Sequence, residues 1–306
     1  MIPLVIIAGP TASGKTALSV ELAHRLDGEI ISADSMQIYK FMDIGTAKPT
    51  VEEKDGIPHH LMDFVHPSVN FSLADYATLA HRTIAEVYQR GKLPIMVGGT
   101  GLYIDTVAEN LRLSDVSVNR EIRKELEGFA EKNGNLALRE LLRDIDPESY
   151  RRLHENDTKR IIRAVEIYRL TGKTVSEYNA ESLSLPKIYN SLRFMIEWDR
   201  EVLYERINRR VDIMLEQGLE QEVRSCLDMG LTPSNTAMQA IGYKEMAEYI
   251  NGCCSFEEAV EKIKMESRRY AKRQISWFKR KEFYRLDPAD KPTDRAEEII
   301  RRELHL

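Results

Sequence analysis

The chain has 306 residues, 42% of them hydrophobic, which is enough apolar material for one large domain or two smaller ones. Its formal net charge of −5 excludes a protein coated in basic charge but not a local basic face. Cys226, Cys253 and Cys254 form no CxxC pair, so the sequence predicts neither a disulfide framework nor a zinc knuckle.

The N-terminus begins with an apolar, β-branched run at residues 3–8, typical of a central strand buried on both faces. The segment GPTASGKT follows at once and matches the phosphate-loop pattern GxxxxGK[ST]. Glycines let backbone N–H groups point inward, the lysine supplies a mobile cation, and the last hydroxyl can hold Mg²⁺. The predicted diphosphate site is Gly9, Pro10, Thr11, Ala12, Ser13, Gly14, Lys15 and Thr16, with Thr16 as the Mg²⁺ ligand.

The N-terminal part then alternates between predicted helices and strands, at residues 16–26, 29–33, 71–90 and 93–97. This alternation predicts an α/β fold, a P-loop NTPase-like doubly wound parallel sheet. No charged leader precedes the first strand, and no apolar run reaches the ~18 residues of a membrane-spanning helix. We therefore expect a cytoplasmic protein without a membrane partner.

The character of the chain changes after residue 111, where it becomes charged and periodically apolar without a convincing strand. The pattern predicts a helical insertion domain at residues 113–189, with helices at 120–132, 136–144 and 157–170. A strand at 192–198 returns to the sheet, and a helical C-terminal part follows, with helices at 201–217, 219–229, 239–251 and 255–282. The catalytic core is thus predicted at residues 1–112 and 190–306.

Two strand ends beyond the phosphate loop carry polar groups, Asp34 after the second strand and Thr100 after the strand at 93–97. In a parallel sheet both face the crevice that holds Lys15. Asp34 could serve as an Mg²⁺ ligand or as a general base, and the alternative is that it caps the N-terminus of a helix. Thr100 could donate a hydrogen bond to the substrate, and the alternative is that it is a cap or turn residue.

A basic helix is predicted near the C-terminus, because residues 262–285 contain ten Lys or Arg and two Glu. The basic side chains share one face of the predicted helix, whereas Ile263, Tyr270 and Trp277 form an apolar stripe opposite, expected to be core rather than a base-stacking platform. The basic face fits a polyanion such as nucleic acid, and the alternative is a solvated surface. Lys159, Arg160 and Arg163 form a weaker second cluster.

These motifs together carry a family resemblance. The segments GPTASGKT, ISADSMQIYKFMDIGTAKP, GIPHHLMD, VGGTGLY, NDTKRIIRAVEIYRLTGK, AIGYKE and KRQISWFKR follow the order typical of bacterial tRNA dimethylallyltransferases. The resemblance implies transfer of a dimethylallyl group from dimethylallyl diphosphate to the exocyclic amine of the adenosine 3′ to the anticodon, with release of diphosphate. It implies Mg²⁺ as cofactor, the anticodon stem-loop of tRNA as partner, and no obligate protein partner.

The resemblance also implies residue roles. Asp34 resembles the general base, Thr100 its hydrogen-bond partner, and Arg210 an arginine that binds the diphosphate. The implied tRNA-contacting residues are Asp34, Ser35, Met36, Gln37, Thr100, Arg123, Lys159, Arg160, Ile161, Ile162, Arg163, Gln239, Ala240, Ile241, Gly242, Tyr243, Lys244, Lys272, Arg273, Gln274, Ile275, Ser276, Trp277, Phe278 and Lys279. Gln239 stands where some relatives carry arginine, and the C-terminal zinc finger of eukaryotic relatives is missing.

Three rival functions share parts of this pattern. A small-molecule kinase shares the phosphate loop and the sheet but does not need the basic helix. An isopentenyltransferase acting on free adenine nucleotides needs neither the insertion nor the basic helix. An RNA-binding, ATPase-like module without enzymatic activity would use Asp34 only as a cap.

Overall fold

The computed structural model describes residues 1–111, 113 and 118–305. The chain falls into two compact units, Met1–Ala108 with Ile188–Leu306, and Glu109–Lys187. The predicted domain boundary at residue 112 lies outside the described residues. Among the helices described, none is both long and apolar enough to cross a membrane.

The first unit is built on a six-stranded, all-parallel sheet. Its strands are β1 (Ile2–Ala8), β2 (Gly28–Ser32), β3 (His59–His60), β4 (Leu93–Gly98), β5 (Tyr189–Ile196) and β6 (Tyr284–Leu286). The strand order is β3-β2-β4-β1-β5-β6, so β1 lies between β4 and β5. The chain winds to opposite sides of β1 before and after the insertion, which makes the end of β1 a topological switch point where ligands gather.

Helices complete both units. They are α1 (Lys15–Leu26), α2 (Val51–Lys54), α3 (Leu73–Gln89), α4 (Gly101–Ala108), α5 (Arg120–Glu140), α6 (Leu142–Ile145), α7 (Pro147–Arg152), α8 (Thr158–Thr171), α9 (Val175–Ser184), α10 (Arg200–Glu216), α11 (Leu219–Asp228), α12 (Tyr243–Ile250), α13 (Phe256–Phe278) and α14 (Pro292–Leu304). Helices α5 to α9 form the second unit, which packs around its own core of Leu126, Leu138, Leu142 and Ile161.

Both faces of the sheet are covered, as the continuous apolar strands predict. Val5 and Ile7 of β1 join a core with α1 and α14, whereas Leu4 and Ile6 point to the opposite core with α3 and α4. Side chains alternate between faces along a strand, so one strand of aliphatic residues supports both layers. The predicted doubly wound α/β fold is thereby confirmed.

Several elements differ from the sequence prediction. The helix predicted from residue 239 begins only at Tyr243, because Gln239 ends a short 3₁₀ turn and Gly242 has a φ of 98°. By contrast, the predicted break between helices 120–132 and 136–144 is confirmed by a kink at Gly134 (φ 87°, ψ 160°), which divides α5. The prediction missed α14, although its Thr293, Ala296 and Ile300 are buried at helical spacing, because charged residues dominate the segment.

We expect Gly98→Ala to lower the free energy of unfolding by about 1–3 kcal/mol, because overpacked sites strain the backbone. A Cβ atom at position 98 would lie 2.1 Å from the Ala33 carbonyl oxygen, which is backbone and cannot swing aside. Urea unfolding measures the loss. Gly128→Ala is the matched control, since its Cβ meets nothing within 4 Å in α5 and the change improves helix propensity. Equal stability of both variants would contradict the prediction.

Candidate active site at the phosphate loop

The phosphate loop connects β1 to α1 through backbone conformations that favour glycine. Gly9 has a φ of 145° and Gly14 a φ of 92°, both in the region that L-residues rarely adopt. The Ser13 hydroxyl is buried without a hydrogen-bond partner among the described residues. The loop therefore holds polar groups that the protein itself leaves unmatched, as expected of a cradle for an anion.

Side chains from the C-terminal half fix the shape of this loop. Trp198 donates from Nε1 to the Ser13 carbonyl at 2.9 Å, and Arg206 donates from Nε to the Ala12 carbonyl at 2.9 Å. The Arg206 guanidinium also lies over the Trp198 ring, 4.3 Å from its centroid. Lys15 donates from Nζ to the Pro10 carbonyl at 2.6 Å. The carbonyls are thus held by the protein, and the loop is preorganised.

Asp34 lies in a turn after β2. No helix begins here, so the helix N-cap alternative for Asp34 is wrong: the following residues form a turn, and α2 starts only at Val51. Its Oδ1 accepts from the backbone N–H of Met36 at 2.9 Å. Its other oxygen accepts no hydrogen bond from the described residues, which leaves one carboxylate oxygen available to a ligand.

Thr100 ties the turn after β2 to the turn after β4. Its hydroxyl accepts from the backbone N–H of Ser35 at 3.1 Å and donates to the Ser35 hydroxyl at 3.3 Å. Its own N–H donates to the Ala33 carbonyl at 3.2 Å. Thr100 does not line the cavity described next, although Gly98 and Gly99 do.

One cavity of about 340 Å³ joins the phosphate loop to the carboxylate of Asp34. Its polar wall is formed by Thr11, Lys15, Thr16, Asp34, Ser35, Gln37, Arg210, Gln239, Tyr270, Arg273 and Gln274. Its apolar wall includes Met36, Val97, Ile207, Val211, Met214, Ile241 and Ile263. The cavity therefore combines an anion cradle, one carboxylate and an aliphatic surface.

The charges of this cavity perturb one another. Burial, with a smaller contribution from the neighbouring Arg210, lowers the pKa of Lys15 to about 7, although Asp34 acts in the opposite direction. Burial also lowers the pKa of Arg210, again opposed by Asp34. Arg210 reaches the Thr11 hydroxyl and the Ala47 carbonyl at 3.4 Å each. Two cations thus face one carboxylate in a desolvated space, which favours a bound anion.

Gly45, Thr46 and Ala47 line the cavity from a loop at residues 43–47 whose backbone is held by one carboxylate. Glu222 of α11 accepts from the backbone N–H groups of Asp43, Ile44 and Gly45 at 2.7, 2.8 and 3.0 Å, and from the Tyr243 hydroxyl. A Cβ atom on Gly45 would lie 2.5 Å from the Tyr243 ring, so only glycine fits there. The sequence prediction missed Glu222, whose partners are distant in the chain.

The other sequence-predicted segments are only partly accessible. Gln239, Ala240 and Ile241 line the cavity, Lys244 is exposed, and Tyr243 is fully buried. On α13, Lys272, Arg273, Ser276, Trp277 and Lys279 are exposed, Ile275 is half-buried, and Gln274 and Phe278 are buried.

The apolar stripe predicted as core on α13 is confirmed only at Ile263, which is 2% exposed and belongs to a hydrophobic core cluster, and it is wrong at Trp277. Ile263 and Tyr270 line the cavity, and Trp277 is 37% exposed with its Nε1 donating to Asp105 at 2.7 Å. The buried residues of α13 are Ala259, Ile263, Ala271, Gln274 and Phe278, so Ile263 alone is shared with the predicted stripe. Burial raises the pKa of Tyr270 to about 12, helped by Asp34, while hydrogen bonding to Thr100 and Gln274 opposes the shift.

In the second unit, a buried carboxylate organises the predicted tRNA-contacting arginines. Glu166 is fully buried and accepts from Arg123 Nε and Nη2 at 3.0 Å each and from Arg163 Nη1 at 2.7 Å. Lys159 and Arg160 are exposed, whereas the side chains of Ile161 and Ile162 are buried in the core of this unit. Those two positions contribute no side-chain surface.

The fold and this site define a class, an α/β protein with a phosphate loop that opens onto a carboxylate-bearing cavity. A model of the family described as IPP transferase matches residues 37–281. A tRNA dimethylallyltransferase of Acetivibrio thermocellus is 51% identical over 277 residues, spanning 90% of this chain and 88% of its own length. One of Caldanaerobacter subterraneus is 50% identical over 284 residues, spanning 92% and 90%. The chain belongs to the IPP transferase family.

Two solved structures resemble the fold over the whole chain. The full-length tRNA isopentenylpyrophosphate transferase of Bacillus halodurans has a TM-score of 0.74 at 45% identity, with 100% of this chain and 97% of that chain covered. A eukaryotic dimethylallyltransferase acting on tRNA has a TM-score of 0.82 at 31% identity, with 100% and 80% covered.

We expect the Lys15→Met variant, without bound ligand, to have a free energy of unfolding about 1–3 kcal/mol higher than that of wild type at pH 7. The reason is that the substitution removes a buried cation. Folding lowers the pKa of Lys15 from 10.5 to about 7, so the unfolded state binds more protons between these values. Wild-type stability therefore rises with pH in this window, and the advantage of the variant shrinks toward pH 10.

Urea unfolding at pH 7, 8.5 and 10 measures this difference. The exposed Lys124→Met is the control and should show no such dependence. A stability difference between Lys15→Met and wild type that stays constant with pH would contradict the prediction.

Proposed function

We propose that this protein transfers a dimethylallyl group from dimethylallyl diphosphate to the exocyclic amine of the adenosine 3′ to the anticodon in tRNA, with release of diphosphate. The observation that carries the proposal is the single cavity lined by Lys15, Arg210 and Asp34. It offers a site for the diphosphate beside a base for the amine. The names of the relatives, tRNA dimethylallyltransferase, support the same reaction. The cytoplasm, where tRNA is available, is the proposed location.

The diphosphate of the donor would bind the phosphate loop. Its oxygens would accept from the inward N–H groups and lie between Lys15 and Arg210, both of which line the cavity. Negative charge grows on these oxygens as the allylic carbon leaves, so preorganised cations stabilise the transition state more than the ground state. Arg210 supports the cradle from α10, opposite Lys15.

The residues at this loop also fit Mg²⁺. Thr16 lines the cavity, and the buried Ser13 hydroxyl has no partner among the described residues. Hydroxyl and phosphate oxygens are the ligands that Mg²⁺ prefers. Thr16 and the diphosphate would hold the ion, which neutralises charge on the leaving group when bound.

The aliphatic wall of the cavity supports an alkyl donor rather than a nucleoside triphosphate. Ile207, Val211 and Met214 come from α10, and Ile263 comes from α13. A five-carbon chain gains about 0.8 kcal/mol for each buried CH₂ group, whereas a ribose hydroxyl would lose its hydrogen bonds there. This wall supports prenyl transfer over the kinase rival.

Asp34 is the proposed general base. The amine nitrogen of the adenosine attacks the first carbon of the dimethylallyl group, the carbon–oxygen bond to diphosphate breaks, and the nitrogen proton passes to Asp34. The free carboxylate oxygen of Asp34 supports this role, because Oδ1 is engaged by Met36. Thr100 is the proposed polar partner, and it holds Ser35 within the same turn.

Recognition of tRNA is proposed for an exposed basic surface, formed by Arg269, Lys272 and Arg273 of α13 and by Lys279 and Arg280 in the turn after it. Basic side chains neutralise phosphates and release the counterions condensed on the nucleic acid, which drives association at low salt. The target base must leave its stack to reach the cavity, and a base in a single-stranded loop is the least costly to extrude.

Incubation of the protein with unmodified tRNA, Mg²⁺ and either dimethylallyl diphosphate or ATP tests the function. Nucleoside mass analysis should find the prenyl mass on adenosine at the position 3′ to the anticodon. Phosphoryl transfer from ATP, with no prenyl product, would instead support the kinase rival. Product on free adenine nucleotides but not on tRNA would support the rival acting on free nucleotides.

We expect Asp34→Asn to lower the rate of transfer about 10²- to 10⁴-fold, the usual contribution of a general base. Asparagine keeps the acceptor for the Met36 N–H, so the turn and the tRNA affinity should be retained within a few-fold. Single-turnover kinetics measure the rate, and the exposed Asp290→Asn serves as control. A rate near wild type would remove Asp34 from the role of base.

We expect the double variant Lys272→Glu and Arg273→Glu to weaken tRNA binding. The slope of log K against log salt should become shallower by an amount that corresponds to about one to two lost phosphate contacts. Both side chains are exposed on α13. Lys291→Glu with Arg295→Glu makes the same charge change at exposed positions near the start of α14, so it controls for net charge. Filter binding at about 50 to 300 mM salt, where the affinity for nucleic acid depends strongly on salt, gives this slope for each double variant. Equal slopes for the two pairs would contradict a specific basic face.

A further inference from the structure

A buried amide on α13 contacts two loops of the active site at once. Gln274 is only 5% exposed, although its neighbours Lys272, Arg273 and Ser276 lie on the surface. Its Oε1 accepts from the backbone N–H of Thr11 at 3.1 Å, and its Nε2 donates to the Gly99 carbonyl at 2.9 Å. One side chain thus bridges the phosphate loop after β1 and the turn after β4.

The Gln274 side chain leaves no space for a residue larger than glycine at position 99. A Cβ atom at Gly99 would lie 2.1 Å from Nε2 of Gln274 and 3.3 Å from the Gly9 carbonyl oxygen. Position 99 therefore admits only glycine while Gln274 keeps this place. The Thr11 N–H, which a phosphate loop could offer to its ligand, is already used by the protein.

The chemistry of the bridge requires a neutral amide. A group in this place must accept from an N–H at one end and donate to a carbonyl at the other, and a carboxamide does both without charge. A methionine of similar length would leave the half-buried Thr11 N–H and the buried Gly99 carbonyl without their partner. A carboxylate would accept from Thr11 but would repel the Gly99 carbonyl and any anion in the cradle.

We propose that Gln274 is a positioning residue that holds the phosphate loop in its diphosphate-binding shape from the helix that carries the basic face. It reaches the reaction through the backbone of Thr11 and Gly99 rather than by touching the reacting atoms. The inference rests on the proposed function for the identity of the anion, a diphosphate. It assigns Gln274 to the donor site, whereas its exposed neighbours serve tRNA.

The test is the affinity of the protein for inorganic diphosphate in Mg²⁺, measured by calorimetry without any transfer. At pH 8 Gln274→Met should bind diphosphate about tenfold more weakly than wild type, as expected for one or two lost buried hydrogen bonds. Gln274→Glu should lose more than Gln274→Met, because its carboxylate adds repulsion to the lost donor. Affinity for tRNA should stay within twofold in both. The exposed Gln89→Met should equal wild type in both assays.

The pH profile distinguishes positioning from a general loss of structure. A protonated glutamic acid can accept from Thr11 and donate to Gly99, as the amide does. The affinity of Gln274→Glu, taken relative to wild type at each pH, should therefore recover as the pH falls from 8 to 5.5. Gln274→Met should show no recovery.

Two outcomes would overturn the inference: diphosphate affinity in Gln274→Met equal to wild type, or tRNA and diphosphate affinity falling together in every variant. Failure of the proposed function looks different. Wild type that binds diphosphate through Gln274 but forms no prenylated adenosine would end that function and leave the positioning role intact.

Discussion

The active-site cavity depends on one electrostatic arrangement, in which two buried cations share the space with a single carboxylate. Lys15 and Arg210 lie in the same cavity as Asp34, and burial lowers the pKa of both basic groups. The excess positive charge is costly while the cavity holds no anion and favourable once an anion enters. The fold tolerates this cost because β1 and α1 are anchored in a large aliphatic core. Stability elsewhere thus supports a locally unfavourable arrangement, as is common at functional sites.

The C-terminal helices, rather than the sheet, decide what the phosphate loop can do. Trp198, Arg206 and Gln274 bond the loop backbone from three points far along the chain. They use loop groups that would otherwise bind solvent or ligand, so the remaining groups point toward the cavity. The loop motif supplies glycines and a lysine, but its shape in this protein is a tertiary property. Helix α13 in particular joins a basic surface, a cavity wall and a loop anchor within a few turns.

The sequence predicted the parts of the site that depend on local order. The apolar strand before GPTASGKT and the two strand ends at Asp34 and Thr100 follow from periodicity and from the geometry of parallel sheets. The predicted fold is confirmed, and the register of β2, β4 and β1 explains why their ends meet: Ala8 pairs with Gly98, and Ser32 with Val97.

The remaining features depend on contacts across the chain, which no local pattern encodes. Glu222 lies more than 170 residues from the loop it fixes, and Gln274 is 263 residues from Thr11. The stripe of Ile263, Tyr270 and Trp277 does not mark one buried face, because a seven-residue spacing drifts around a straight helix, and only Ile263 lies in the core. The buried face is centred on Ala271, Gln274 and Phe278, and a glutamine there is invisible to a hydrophobicity pattern.

The combination of cations and aliphatic side chains in one cavity also favours breaking a carbon–oxygen bond over breaking a phosphorus–oxygen bond. In phosphoryl transfer the terminal phosphate moves away from the cradle, so the acceptor must approach it among the cations. In alkyl transfer the whole diphosphate stays in the cradle, and only the hydrocarbon end meets the acceptor. Here the carboxylate of Asp34 and the side chains of Ile207 and Met214 line the same cavity as Lys15. In the proposed reaction the growing charge on the diphosphate would lie where positive charge is already in excess, and the reacting carbon would lie against an aliphatic surface that excludes water.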